Sequence, residues 1–158
     1  MEEQQSGTDT GLKSLLFVLK PIYARMTKPY LLFSVLLLFT AAFSPANDLA
    51  DSIKRGEAVY TSTCVSCHQV TGTGVPGVFP PLAKSDYLMS DAKRAIRTVL
   101  HGLEGEITVN GEPYNQQMPS QSHLSDGQVA DVLNYVRNHW GNQGPAIIPA
   151  QVKAERQQ

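Results

Sequence analysis

Apolar positions recur at intervals of three or four residues in three segments of this 158-residue chain, 48–62, 90–101 and 125–140. Such spacing places the apolar side chains on one face of an α-helix, so each segment is predicted to form an amphipathic helix. A serine stands at the start of the second and third segments, and a glycine follows the last residue of each. These residues are typical of helix ends, so the pattern predicts three main helices.

The segments between these helices are rich in residues that interrupt regular structure. Residues 69–83 contain three glycines and three prolines, which predicts a long irregular loop. Asn110-Gly111 lies between two short extended runs within 107–114 and predicts a small hairpin. Residues 144–158 contain two prolines and end in polar residues. We expect this segment to be a tail draped over the body and frayed at its polar end.

One further apolar run, residues 31–43, stands apart from these helices. Its 13 residues are fewer than the roughly 20 that span a bilayer, but they suit the apolar core of a signal peptide. Lys28 precedes the run, and small residues at positions 44 and 46 predict cleavage after Ala46. An uncleaved anchor, which would bring membrane association, is the alternative.

The distance from Met1 to Ala46 is longer than the roughly 15–30 residues of an ordinary signal peptide. Met26 is therefore an alternative start, and a long basic leader is the rival explanation. In either case we expect residues 1–46 to stand outside the fold, 47–143 to form the domain and 144–158 to form the tail.

The net charge limits the kinds of partner that the chain could bind, and its cysteines indicate the kind of cofactor. The formal net charge is −1, without the basic surface that nucleic-acid binding requires, so no nucleic-acid partner is predicted. The two cysteines of the chain occur together, in the pentapeptide Cys64-Val65-Ser66-Cys67-His68. This is the attachment pattern of c-type haem, in which the thiols add to the two vinyl groups. The histidine then becomes an axial iron ligand.

Other interpretations of the cysteine pair fit less well. A structural zinc site needs about four ligands, and no two histidines have the spacing that would complete one. A thioredoxin-like pair needs a βαβ neighbourhood, which the flanking sequence lacks. A disulfide between Cys64 and Cys67 would close a very small loop and stabilise little. We therefore predict one haem c, covalently bound through Cys64 and Cys67, with His68 on the iron.

The second axial ligand has one strong candidate. Met118 lies in a loop 50 residues after His68, and Pro119 stiffens that loop. A loop can carry a thioether to the far side of the ring. The other candidates are His123, which is the main rival, His101, His139 and Met89. The sequence favours Met118, and a methionine that only fills the core is the alternative.

These motifs together resemble the class I c-type cytochromes, over residues 49–140. The likeness rests on the pentapeptide, on Pro80-Pro81-Leu82, on Met118-Pro119, and on Gly56 and Tyr60 before the cysteines with Val132 and Tyr135 in the final helix. The resemblance implies an all-α fold, with three main helices, short helical turns and a small hairpin around one covalently bound haem. It also implies that the first and last helices cross at Gly56, Tyr60, Val132 and Tyr135, and that Pro80 offers its carbonyl to His68.

The function that follows is one-electron transfer rather than enzymatic catalysis. With both axial positions filled, no open iron site remains for a substrate. Export places the protein in the periplasm, where it would exchange electrons with redox protein partners. A looser likeness to the haem domains of copper nitrite reductases and to cytochrome subunits of dehydrogenases and oxidases indicates the kind of partner. The alternatives are a permanent subunit of a membrane-bound complex, and a five-coordinate haem enzyme or gas sensor if Met118 is not a ligand.

Overall fold

The computed structural model describes residues 45–158, and the predicted signal core at 31–43 and the alternative start Met26 lie outside this range. The described part contains six helices and one hairpin. In chain order these are α1 (Pro45–Thr63), α2 (Val65–His68), α3 (Asp86–Ser90), α4 (Ala92–His101), β1 (Ile107–Val109), β2 (Glu112–Tyr114), α5 (Asp126–Val136) and α6 (Pro149–Arg156). Within residues 45–158, no helix combines the length and the apolar character needed to cross a membrane.

The crossing of α1 and α5 is the central packing contact. A Cβ at Gly56 would lie 2.0 Å from the carbonyl oxygen of Asp131 and 2.8 Å from Cβ of Tyr135, so only glycine allows this approach. One turn later, the rings of Tyr60 and Tyr135 pack with centroids 5.4 Å apart. Arg55 ties the same helices together through a bidentate pair with Asp131, at 2.8 Å for each bond. The contact between the first and last predicted helices is therefore confirmed.

Several helix ends differ from the sequence prediction, and α1 begins at Pro45 rather than at position 48. Ser90 was expected to begin the second main helix, but it is the last residue of α3. The carboxylate of Asp91 accepts hydrogen bonds from the backbone N–H groups of Lys93 and Arg94 and starts α4 instead. The last predicted helix ends at Val136 rather than at position 140. Trp140 follows in a left-handed conformation, with φ of 49°, which a continuing helix does not allow.

The predicted hairpin is confirmed. β1 and β2 pair antiparallel, with Ile107 opposite Tyr114 and Val109 opposite Glu112. Asn110 and Gly111 both have positive φ, at 52° and 86°, as the tight two-residue turn requires.

The C-terminal segment is not the frayed tail that the sequence suggested. Residues Pro149–Arg156 form α6, which packs on both α4 and α5. Val152 is fully buried, and the buried carboxylate of Glu155 accepts from Arg97 at 2.6 Å. Arg156 pairs with Asp126 at 2.7 Å. The expectation of a frayed end was wrong, because this helix owes its order to tertiary contacts with the body rather than to its own sequence.

Candidate haem site

The pentapeptide forms a single helical turn directly after α1. Cys64 still donates its backbone N–H to the carbonyl of Tyr60, at 2.8 Å, so α1 delivers it in a fixed position. The next turn, α2, is closed by a bond from the N–H of His68 to the carbonyl of Cys64, at 3.0 Å. Residues three apart in a helical turn share one face, so Cys64 and Cys67 both border the cleft described below.

Both cysteines are free thiols, not bonded to each other. Burial, with a smaller contribution from Cys67, raises the pKa of the Cys64 thiol to about 11. Burial therefore favours the protonated thiol over the thiolate at this position.

The ring of His68 is buried, with 9% of the residue exposed. Its Nδ1 lies 3.0 Å from the carbonyl oxygen of Pro80. Because a carbonyl can only accept, Nδ1 carries the proton and Nε2 keeps a free lone pair. Burial lowers the pKa of this histidine, and the bond to Pro80 opposes that effect. The neutral imidazole that results is the form that binds a metal ion.

The loop at 69–83 is folded tightly enough to hold the Pro80 carbonyl in place. The N–H of Gly74 donates to the carbonyl of His68 at 3.0 Å, and Leu82 and Ala83 both donate to the carbonyl of Gly72. A Cβ at Gly74 would lie 2.2 Å from the carbonyl oxygen of Phe79 and 2.7 Å from that of Pro80. No role for this glycine was predicted, and its place in a Gly-rich loop is the only signal of it in the sequence.

Met118 is held on another side of the same cleft. Its backbone forms a two-bond bridge with Leu103, at 2.9 and 3.0 Å. Gly102 makes this possible, since a Cβ there would lie 2.5 Å from the carbonyl oxygen of Met118. None of the rival ligands lines the cleft: His101, His123 and His139 are exposed at the surface, and Met89 is half-buried elsewhere.

The cleft itself is partly open to solvent. Its walls are formed by apolar side chains from the loop at 69–83, three of the helices and the hairpin, among them Leu82, Leu88 of α3, Val99 of α4, Val109 of β1 and Leu133 of α5. The lining side chains that suit a soft metal ion or its ring are the imidazole of His68, the thioether of Met118 and the thiols of Cys64 and Cys67. A large, flat, apolar group with a central metal ion suits this donor set, and these residues therefore fit a haem.

Residues 53–140 match the sequence model of the cytochrome c family. The chain belongs to the cytochrome c family. The predicted all-α class I fold is thereby confirmed, and haem c is the cofactor that the family implies. At the level of the family, its function is that of a cytochrome c electron carrier.

Several characterised cytochromes are similar to this chain. A cytochrome c-552 of Thermus thermophilus is 39% identical over 105 residues, which cover 64% of this chain and 70% of the relative. The cytochrome c subunit of the quinone alcohol dehydrogenase of Gluconobacter oxydans is 37% identical over 97 residues, covering 60% and 20%. The gluconate 2-dehydrogenase cytochrome c subunit of Pantoea cypripedii is 34% identical over 105 residues, covering 63% and 23%. The likeness to the two dehydrogenase subunits thus extends over only about a fifth of their length.

Proposed function

We propose that this cytochrome is a periplasmic one-electron carrier with a single haem attached through Cys64 and Cys67 and ligated by His68 and Met118. The observation that carries the proposal is the arrangement of these four side chains around one apolar cleft. When bound, the haem supplies an iron that alternates between Fe(II) and Fe(III). The residues of the chain determine the relative stability of these two oxidation states and the access of partners to the haem.

His68 and Pro80 act together in this proposal. The Nδ1–H bond to the Pro80 carbonyl fixes the ring orientation and leaves Nε2 for the metal, as the hydrogen-bond partners of metal-ligating histidines generally do. Met118 offers a neutral thioether, and the apolar walls exclude water. Both features favour the ferrous state and so raise the reduction potential.

The deciding test compares the ferric protein with its Met118→Ala variant. We expect the wild type to be low-spin and slow to bind cyanide, and the variant to become high-spin and bind cyanide readily. His123→Ala is the matched control, since His123 is exposed and outside the cleft, and it should leave both properties unchanged. A wild type that is already high-spin would support a five-coordinate enzyme or sensor instead.

Covalent attachment has its own test. Haem that stays with the chain in a denaturing gel should be lost when Cys64 and Cys67 are both replaced by alanine. Haem that remains bound to the double variant under denaturing conditions would contradict the thioether proposal.

The proposed partners are a respiratory donor and an acceptor, such as a dehydrogenase, a terminal oxidase or a nitrite reductase. Relatives that are dehydrogenase subunits support a second candidate, a haem subunit held permanently in a membrane-bound complex. Cell fractionation followed by haem staining separates the two. A soluble periplasmic band supports the carrier, and a band only in the membrane fraction supports the subunit.

A further inference from the structure

Residues 103–118 form a closed loop that lines part of the cleft, and we call this segment the strap. Its two ends are joined by the backbone bridge between Leu103 and Met118. Between these ends lie the hairpin and a bond from the side chain of Gln117 to Glu104, at 2.5 Å. A loop whose ends meet and which carries its own internal bonds is a compact unit that can open and close as a whole.

Hydrogen bonds tie the strap to the rest of the domain at one point. At the tip of the hairpin, the backbone N–H of Asn110 donates to Oδ1 of Asp86 at 2.8 Å. In return, the backbone N–H of Asp86 donates to Oδ1 of Asn110 at 3.0 Å. We call this reciprocal pair of bonds the clasp. Within residues 45–158, no other hydrogen bond or ion pair joins the strap to residues outside it.

The strap also stands apart from the hydrophobic core. Its two buried apolar side chains are Val109 and Tyr114, and both line the cleft. Neither belongs to the cluster of buried side chains that the helices share. The attachment of the strap to the domain therefore depends on the clasp and on the group that the cleft holds.

The clasp joins two walls of the cleft. Asp86 begins the short helix α3, whose Tyr87 and Leu88 line the cleft. Ser85 caps this helix by accepting from the N–H of Leu88 at 3.2 Å, and Oδ1 of Asp86 also accepts from the N–H of Tyr87 at 2.6 Å. The carboxylate is thus already oriented on α3. Asn110 meets it with the positive φ of 52° that the hairpin turn requires, so the clasp forms with little further ordering of the chain.

We propose that Asp86 is a positioning residue for Met118: through the clasp it keeps the strap closed, and the closed strap keeps the thioether on the haem iron. This inference rests on the proposed function, because it requires Met118 to be the sixth ligand. Met118 ends the strap, and the strap lines the cleft into which this side chain leads. The thioether can leave the iron, and an external ligand can replace it, when the strap opens.

Cyanide binding to the ferric holo-protein measures this control, because cyanide must take the place of Met118. Asp86→Ala removes one bond of the clasp. Asn110→Gly removes the other, keeps a residue that tolerates the positive φ and leaves α3 unchanged. We expect each variant to bind cyanide about fivefold faster than the wild type, the effect of one hydrogen bond of ordinary strength. The double variant should bind it at least about tenfold faster.

Two matched variants show whether the hydrogen bonds themselves are responsible. Asp86→Asn keeps an acceptor oxygen at the same position and should stay within about twofold of the wild-type rate. Glu112→Ala removes an exposed carboxylate from β2 of the same hairpin, and Glu112 takes no part in the clasp. It should leave the rate unaltered. The inference is overturned if Asp86→Asn accelerates cyanide binding as much as Asp86→Ala does, or if Glu112→Ala has the same effect.

Hydrogen exchange of the same holo-proteins separates positioning from general stabilisation. In Asp86→Ala and Asn110→Gly, we expect the amides of residues 103–118 to exchange faster and those of α5 to keep their wild-type rates. Equal acceleration in both segments would show that Asp86 only stabilises the fold, and would overturn the inference. Should Asp86→Ala not fold, Asn110→Gly decides the question.

Failure of this inference is distinguishable from failure of the proposed function. If Met118→Ala leaves the ferric spin state unchanged, Met118 is not the ligand, and the proposed ligation and this inference fall together. If Met118→Ala makes the iron high-spin while both clasp variants bind cyanide at the wild-type rate, this inference alone is overturned.

Discussion

The Nδ1 of His68 lies 3.0 Å from the carbonyl oxygen of Pro80, twelve residues further along the chain. The orientation of the imidazole is therefore determined by the shape of the loop between them. That shape depends on Gly74, whose missing side chain leaves room for the carbonyls of Phe79 and Pro80.

Gly74→Ala should therefore destabilise the protein more than Gly77→Ala. Both glycines have positive φ, at 63° and 71°, so alanine costs roughly 1–2 kcal/mol of backbone strain at either position. Only at position 74 does the new Cβ also meet backbone atoms, whereas nothing lies within 4 Å of it at position 77. The clash adds about 1–3 kcal/mol. Urea unfolding of the two holo-proteins measures the difference, and equal midpoints would contradict this account.

Gly56→Ala should weaken the crossing of α1 and α5. Its Cβ would overlap the carbonyl of Asp131, and two backbones cannot move apart without loosening the core. We expect the free energy of unfolding to fall by about 3 kcal/mol. Gly127→Ala, inside α5 with its nearest neighbour atom 3.9 Å away, is the control and should stabilise by up to about 1 kcal/mol. The prediction fails if the two variants unfold at the same denaturant concentration.

Asp91 should account for part of the acid sensitivity of the fold. Hydrogen bonds from the N–H groups of Arg94 and Lys93 lower the pKa of its carboxyl below the usual 3.8, against an opposing effect of desolvation. Between the folded pKa and 3.8 the unfolded chain binds more protons, so the stabilisation is complete above this window and lost as the pH falls through it. Asp91→Asn keeps a capping oxygen but has no charge to lose. Stability curves of wild type and variant should converge on acidification, and parallel curves would disprove the assignment.

Arg137 should raise the reduction potential of the bound haem. Only 3% of it is exposed, and it takes no part in the ion pairs between described residues. Burial lowers its pKa. Its Nη1 donates at 2.7 Å to the carbonyl of Leu88, and Leu88 lines the cleft.

A buried positive charge next to the wall that Leu88 forms favours the ferrous state of the haem iron. Arg137→Gln should lower the potential by about 40 mV, the equivalent of roughly 1 kcal/mol.

Two controls separate the charge of Arg137 from its packing. Arg137→Lys keeps the charge and should stay near the wild-type potential. Lys93→Gln removes an exposed charge and should have little effect, because solvent screens it. If the lysine and glutamine variants at position 137 show the same fall, packing rather than charge is responsible.

The sequence was most informative where local chemistry determines local structure. Asn110-Gly111 predicted the hairpin because few dipeptides adopt two consecutive positive φ angles. The pairing of Gly56 with Tyr135 was predicted from the family likeness and is confirmed by the close approach of their helices. The three main helices were predicted from apolar spacing, with errors of a few residues at their ends.

The remaining features depend on contacts that spacing does not reveal. Asp91 rather than Ser90 begins α4, because Ser85 starts a separate short helix that ends at Ser90. The order of α6 comes from its ion pairs with Arg97 and Asp126, which are distant in sequence, and from the burial of Val152. Val152 is a single apolar residue within a short, mostly polar segment, so spacing alone does not reveal its role. The importance of Gly74 is visible only when the loop folds back on itself.

The position of α6 also has a consequence for the rigidity of the cleft. α4 and α5 supply two walls of the cleft, and α6 fastens them to each other through Glu155 and Arg156. None of the residues that line the cleft belongs to α6. A helix outside the cleft therefore holds two of its walls together, and α4 and α5 can move apart only if the contacts of Glu155 and Arg156 break.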